Sequence, residues 1–145
     1  MARKQLSVTT TSWGLYAKWS NRCRELPRFL KFTTIIPARI EAEFGYILKI
    51  SGAKGKQVEY TVIHPPFLDE KGKTTPPFTG SIPIRSNPFE IYLGDTLWEP
   101  IGDKIGLWRF IAKIDGETVE DKSFTIVENT ELFADLIDQF KHEHI

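Results

Sequence analysis

The chain has 145 residues, of which 41% are hydrophobic and 26% charged, and its formal net charge is zero. This length and composition predict one globular domain with a core of its own, and they exclude a chain that is disordered throughout. No apolar run marks a secretory signal or a membrane span and the one cysteine excludes an internal disulfide bond, so we expect a cytoplasmic protein.

The N-terminal part of the chain is basic. Residues 1–39 carry eight Lys or Arg residues and one acid, whereas residues 115–145 carry nine acids and two lysines. A basic segment can bind an acidic partner, and two ends of opposite charge can also face each other within one chain or across a dimer. Because the basic residues are spread over a long segment, we favour the second interpretation.

Alternation of apolar and polar residues predicts β-strands through most of the chain. An N-terminal arm of residues 1–12 leads into a weak strand at residues 13–19. The clearest alternation covers residues 39–50, where the even-numbered side chains are mainly large and apolar. Those residues form one buried face, so Glu41 and Glu43 are predicted on a solvated outer face.

Glycines at residues 51–56 predict a hairpin turn into the next strand, which carries Val58 and Val62. Weaker strands are predicted at residues 80–85 and 89–93. Pro83 makes the first of these an edge strand, because proline cannot donate a hydrogen bond to a neighbouring strand.

A second hairpin is predicted near the C-terminus. Residues 107–114 alternate, and Asp115-Gly116 is a strong signal for a two-residue turn. The apolar residues of the return strand change from odd to even positions, which predicts a β-bulge near Asp121.

The last residues, 128–145, have the spacing of an amphipathic helix, with apolar side chains at positions 132, 133, 136, 137 and 140 on one helix face. A helix of this length is marginal in water, so we expect it to dock on its own domain or on a partner. The chain as a whole therefore predicts an all-β, immunoglobulin-like antiparallel sandwich of about seven strands at residues 13–127, followed by a short helix. Ten residues are predicted in its core: Trp13, Leu15, Phe44, Tyr46, Leu48, Tyr60, Trp108, Phe110, Phe124 and Ile126.

No combination of residues has the form of a catalytic or metal site, and we expect neither a metal nor another cofactor. Cys23 is flanked by two arginines but has no histidine near it in sequence. His142 and His144 are two residues apart near the chain end, a spacing that does not place them on one helix face.

The most distinctive segment is a long loop that contains Pro-Pro-Phe twice, at residues 65–67 and 76–78. Long loops of this kind are either packed against the core or used for binding. Either the two phenylalanines plug one end of the sandwich, or the loop and residues 93–100 form a binding rim. The candidate binding residues are His64, Phe67, Asp69, Phe78, Arg85, Asp95 and Trp98.

Five segments together resemble a bacterial family known as domain of unknown function 3859. They are residues 35–46, 64–67, 76–80, 93–100 and 106–110. The resemblance covers residues 13–127 and implies a bacterial cytoplasmic protein, but it implies no activity and no catalytic residue. The last hairpin is similar to the closing strands of immunoglobulin-like sandwiches, which is an analogy of fold.

Three functions remain open from the sequence. The first is a non-catalytic protein-interaction module, with another protein or a second copy as the partner. The second is a small-ligand binder or enzyme that uses the loop cluster of His64, Asp95 and Trp98. The third is nucleic-acid binding through the basic N-terminal third, with Trp13, Tyr16 and Trp19 available to stack on bases; the near-neutral pI of 6.8 weighs against it.

Overall fold

The computed structural model describes residues 5–20 and 22–128, which form two β-sheets packed face to face. The strands are β1 (Ser7–Tyr16), β2 (Phe29–Lys31), β3 (Ile35–Pro37), β4 (Glu43–Ser51), β5 (Gln57–Ile63), β6 (Phe78–Pro83), β7 (Phe89–Thr96), β8 (Gly106–Ile114) and β9 (Glu117–Val127), with a 3-10 turn at Gly102–Lys104 before β8. None of these residues forms a helix long and apolar enough to cross a membrane.

One sheet has the strand order β2-β1-β4-β7 and the other has the order β3-β9-β8-β5-β6. The pairings are antiparallel apart from β3 with β9, which is parallel. The all-β prediction is therefore confirmed. The structure has two strands more than expected, since β2 and β3 are three residues each and too short to show an alternation. Most of the predicted C-terminal helix, residues 129–145, lies outside the described residues.

The first strand has different bounds from those predicted, at both its start and its end. The first strand begins at Ser7, so residues 7–10 and Ser12 pair with β4 and do not form part of an arm. The same strand ends at Tyr16, earlier than the predicted residue 19. The chain turns back there, and the amide of Ala17 donates to the carbonyl of Arg28 at 2.8 Å.

The predicted hairpin at residues 51–56 is wrong. Strands β4 and β5 belong to different sheets, so these residues carry the chain from one sheet to the other. Ala53 is buried in the core, and the amide of Gly55 donates to the carbonyl of Ile84 at 2.9 Å. Glycines permit a sharp reversal of the chain both in a hairpin and in a connection between two sheets. Their presence therefore does not distinguish these two structures.

The C-terminal hairpin is confirmed. Asp115 and Gly116 both have positive φ, 52° and 80°, as a two-residue turn of this hand requires. Ala112 pairs with Glu120 and Lys113 with Thr118. The extra residue is thus Val119, and the bulge lies two positions from its predicted place.

The core lies between the inner faces of the two sheets. Phe44 on β4 is fully buried and makes edge-on contacts with Trp108, Phe110 and Phe124 of the opposite sheet, at 5.5 to 5.7 Å between ring centroids. Of the ten predicted core residues, eight are buried and two, Trp13 and Tyr60, are partly buried against them.

Candidate functional site

The predicted binding loop closes one end of the sandwich together with the segment that follows β7. The ring of His64, just after β5, stacks on Phe67 at 4.3 Å and lies 4.7 Å from the ring of Phe78. Trp98, in the segment after β7, contacts Phe67 edge-on at 5.5 Å. The structure therefore brings four of the seven predicted binding residues into one aromatic cluster, which rests on the buried Trp108.

His64 ties together the two ends of this loop. Its Nδ1 atom lies 2.8 Å from the carbonyl oxygen of Pro65, and its Nε2 atom lies 2.9 Å from that of Pro76. Carbonyl oxygens only accept, so each contact is a hydrogen bond when that nitrogen carries a proton. Both ring nitrogens are thus directed at the loop's own backbone, which favours a structural role for His64 over proton transfer.

A cavity of about 610 Å³ lies beside the aromatic cluster, and we call it the loop-end cavity. Its floor includes Phe67, Phe78 and Trp98. Five charged residues also line it: one lysine and the four acids Asp69, Glu70, Glu99 and Asp103. Asp69 also orders the loop tip, because its Oδ1 atom accepts the amides of Lys71 and Lys73.

The lysine of the loop-end cavity is Lys104, which the sequence analysis did not identify. Its side chain is 1% exposed, and its Nζ atom donates to the carbonyl of Pro100 at 3.0 Å and to Oδ1 of Asp103 at 2.5 Å. The same atom lies 4.5 Å from the ring centroid of Phe67 and 4.7 Å from that of Trp98. Lys104 is buried with partners on all sides, so it holds the 3-10 turn against the aromatic floor.

Two predicted binding residues lie elsewhere. Arg85 lines a separate cavity of about 350 Å³ with Cys23 and Arg24. Asp95 lines a third cavity of about 400 Å³ between strands β6 and β7, which we call the edge cleft. Burial raises the pKa of Asp95 to about 6, although the Thr96 amide and the charge of His64 act in the opposite direction. The predicted cluster is therefore divided among three cavities.

Glu43 is a buried carboxylate that the sequence analysis placed wrongly on a solvated face. It is 2% exposed, accepts a hydrogen bond from the hydroxyl of Tyr92 at 2.6 Å, and accepts another from the hydroxyl of Thr96. Burial raises the pKa of Glu43 to about 7; the hydrogen bonds from Thr96 and Tyr92 lower it, and the charge of Asp95 raises it.

The reason lies in the chain that follows β1. This segment folds back over the outer face of the sheet, where Trp19 and Phe29 pack against a second buried cluster of Tyr16, Ile47 and Tyr92. Because this segment covers it, the outer face of β4 becomes part of the protein interior. The alternation in β4 shows only which side chains are large and apolar. It does not indicate that another segment packs over the opposite face of the strand.

The aromatic residues of the basic N-terminal third pack on the protein itself. Trp19 contacts Tyr92 at 5.1 Å, and its Nε1 atom donates to the carbonyl of Glu25 at 2.8 Å. Tyr16 is 2% exposed. The Nζ atom of Lys122 lies 4.5 Å above the ring of Trp13. In this arrangement Tyr16 is not presented for stacking on bases. Trp13 and Trp19 are packed against the chain, and Trp19 also lines two cavities.

Within residues 5–20 and 22–128, no group of three or more His, Cys, Asp or Glu residues is placed to hold a metal ion. Cys23 is exposed. The pair His142 and His144 lies outside the described residues.

Comparison with known proteins supports the fold. The structure of an immunoglobulin-like protein from Pseudomonas aeruginosa matches with a TM-score of 0.71 and 16% sequence identity, over 88% of this chain and 100% of that chain. At that identity the likeness shows a shared fold alone, and the predicted immunoglobulin-like sandwich is confirmed. No curated protein matches the chain. The profile of one family covers residues 4–126, and the chain therefore belongs to the family described as Domain of unknown function (DUF3859).

Proposed function

We propose that this protein is a non-catalytic interaction module that binds a basic, partly apolar segment of a protein partner in the loop-end cavity. The observation that carries the proposal is the make-up of this cavity, which combines three aromatic side chains with four carboxylates, three of them on exposed residues. The cavity's volume, about 610 Å³, is sufficient for one or two side chains of a partner.

Charge favours a basic partner. Four acids and one lysine line the cavity, and Lys104 is already paired with Asp103. The remaining carboxylates of Asp69, Glu70 and Glu99 give the cavity a negative potential. Complementary charge speeds association with a basic segment and disfavours an acidic one.

Apolar exposure favours a protein partner. Leu68 is 64% exposed, and Trp98 is 36% exposed at the edge of the cavity. Large apolar side chains next to a concave site are typical of protein-binding surfaces, where tryptophan contributes strongly to affinity. A second copy of the chain would supply such a basic segment, because residues 1–39 are themselves basic.

An array of immobilised twelve-residue peptides, probed with the full chain, tests this proposal. Peptides that combine Lys or Arg with aliphatic residues should bind, and copies in which each basic residue is replaced by glutamate should not. The double variant Glu70→Gln/Glu99→Gln should lower affinity by about tenfold and reduce its dependence on salt. Trp98→Ala should weaken binding at all salt concentrations.

The matched control is Glu59→Gln/Glu117→Gln, which removes two exposed carboxylates from strands β5 and β9, outside the loop-end cavity. This control should bind like the natural chain. Equal binding of acidic and basic peptides, or full affinity in the Glu70→Gln/Glu99→Gln variant, would refute the proposed site.

The C-terminal segment is a second candidate docking element. Its amphipathic spacing predicts a helix whose apolar face would need a cover. If this segment docks on the partner, deletion of residues 130–145 should abolish association while the unfolding transition of the sandwich persists. An intact complex after the deletion would exclude this role.

We further propose that the protein acts in the bacterial cytoplasm, which the single exposed Cys23 supports because a reducing compartment keeps such a thiol free. Fractionation of bacterial cells that express the full chain tests this location, and recovery in the periplasm or the medium would contradict it.

A further inference from the structure

The edge cleft lies on the open side of the sandwich. Strands β6 and β7 are the last strands of their sheets on this side, and each has one paired edge within the described residues. The cavity between them has a volume of about 400 Å³, in the range of small-molecule sites. Four aromatic side chains line it: Trp19, Tyr60, Phe78 and Tyr92.

Glycines leave room for the two tyrosine rings to approach the backbone of strands β6 and β7. Gly80 on β6 pairs directly with Tyr60 on β5, and a Cβ atom at Gly80 would lie 2.4 Å from the Tyr60 hydroxyl oxygen. In the other sheet, a Cβ atom at Gly94 would lie 2.2 Å from the hydroxyl oxygen of Tyr92. Any larger residue at either position would force the ring away, so both walls depend on glycine for their aromatic surface.

Asp95 supplies the one carboxylate of the cleft. Its Oδ1 atom accepts the amide of Thr96 at 2.8 Å, which is the only hydrogen bond that this carboxylate makes to the described residues. No lysine or arginine is among the described residues that line the cleft. The carboxylate is partly withdrawn from water, and burial raises its pKa to about 6. A cation in the cleft would therefore face the negative charge of Asp95. Among the described residues, no cationic side chain forms a hydrogen bond or an ion pair with this carboxylate.

We propose that the edge cleft binds a small organic cation, an amine or a quaternary ammonium ion, with its charge towards Asp95 and its carbon substituents against the aromatic rings. The faces of aromatic rings attract cations, and a carboxylate beside them adds direct charge attraction. A neutral ligand of the same shape gains only the apolar contact. This site is separate from the loop-end cavity, although Phe78 contributes to both.

The test compares two probes of nearly equal shape, choline and its neutral carbon analogue 3,3-dimethylbutan-1-ol, by titration of the ¹⁵N-labelled full chain in NMR. Choline should shift the amide resonances of Gly80 and Gly94 and the indole resonance of Trp19. It should bind about tenfold more tightly than the neutral analogue. Equal affinity for the two probes, or no shifts at these residues, would overturn the proposal. This comparison uses the natural chain and needs no variant.

Asp95→Asn isolates the charge, because asparagine keeps an oxygen for the Thr96 amide. This variant should bind choline about tenfold more weakly and lose the preference for choline over the neutral analogue. The matched control Asp115→Asn removes a carboxylate from the distant β8–β9 turn and should leave both affinities unchanged. Retained preference in a folded Asp95→Asn variant would also overturn the proposal.

Discussion

The buried carboxylate of Glu43 makes the stability of this protein depend on pH, and Glu43→Gln should remove the part of that dependence that comes from Glu43. Glutamine has the same shape and no charge. Its amide group can donate to the Tyr92 hydroxyl, because that hydroxyl can donate in turn to the carbonyl oxygen of Phe44, which lies 3.0 Å away. The variant therefore keeps the hydrogen bonds of the site while it removes the ionisable group.

The size of the effect follows from the pKa of Glu43. Burial raises it from the ordinary value of 4.5 to about 7 in the folded chain. Between these two values the folded state binds more protons than the unfolded state, so the free energy of unfolding falls as the pH rises. Glu43 is 2% exposed, and the full shift corresponds to a loss of about 3 kcal/mol between pH 4.5 and pH 8.

Urea unfolding followed by tryptophan fluorescence at pH values from 4.5 to 8 measures this loss. The natural chain and Glu43→Gln should have similar stability at pH 4.5, and the variant should be more stable by about 3 kcal/mol at pH 8. Asp95 contributes a dependence of the same sign in both proteins, since burial also raises its pKa. Glu90→Gln, an exposed change on the same sheet, is the control and should follow the natural chain. Parallel pH profiles for the natural chain and Glu43→Gln would refute the reasoning.

Two further predictions concern the core and the backbone. Trp108→Ala should lower the free energy of unfolding by about 3–5 kcal/mol, because it removes a fully buried ring and leaves the carbonyl of Lys104 without its indole donor; a change too small to measure in the urea midpoint would contradict the core assignment. Gly45 and Gly116 both have positive φ, but a Cβ atom at Gly45 would lie 2.2 Å from the Leu93 carbonyl oxygen whereas one at Gly116 meets nothing within 4 Å. Gly45→Ala should therefore destabilise by at least about 3 kcal/mol and Gly116→Ala by about 1 kcal/mol, and equal costs in thermal unfolding would show that the close approach is not decisive.

Much of the sandwich could be predicted because the strand face that packs in the core carries large apolar side chains at every second position. Residues 44, 46, 48 and 50 alternate with their neighbours, and the structure buries all four. The Asp115-Gly116 turn is equally local, since two consecutive residues with positive φ need a small or polar side chain and a glycine. The bulge at Val119 was detectable for the same reason, as a change of parity within one strand.

The grouping of the candidate binding residues in space could be predicted only in part. Phe67, Phe78 and Trp98 were identifiable because aromatic residues in a proline-rich loop must either pack or bind. Arg85 was grouped with them from its position in the chain, and the structure places it in a different cavity. Lys104 gave no signal, because a lysine is ordinarily exposed and its burial depends on rings that come from distant segments.

By itself, the sequence determined seven of the nine strands in outline, where the last hairpin turns and which side chains are large enough to fill a core, because each of these depends on neighbours in the chain. The tertiary structure decided which strands share a sheet, so residues 51–56 became a crossing between sheets. It also decided that the segment after β1 covers the outer face of β4, so that Glu43 loses its water and its pKa rises. These outcomes depend on contacts between segments far apart in sequence, and no local pattern of side chains encodes them.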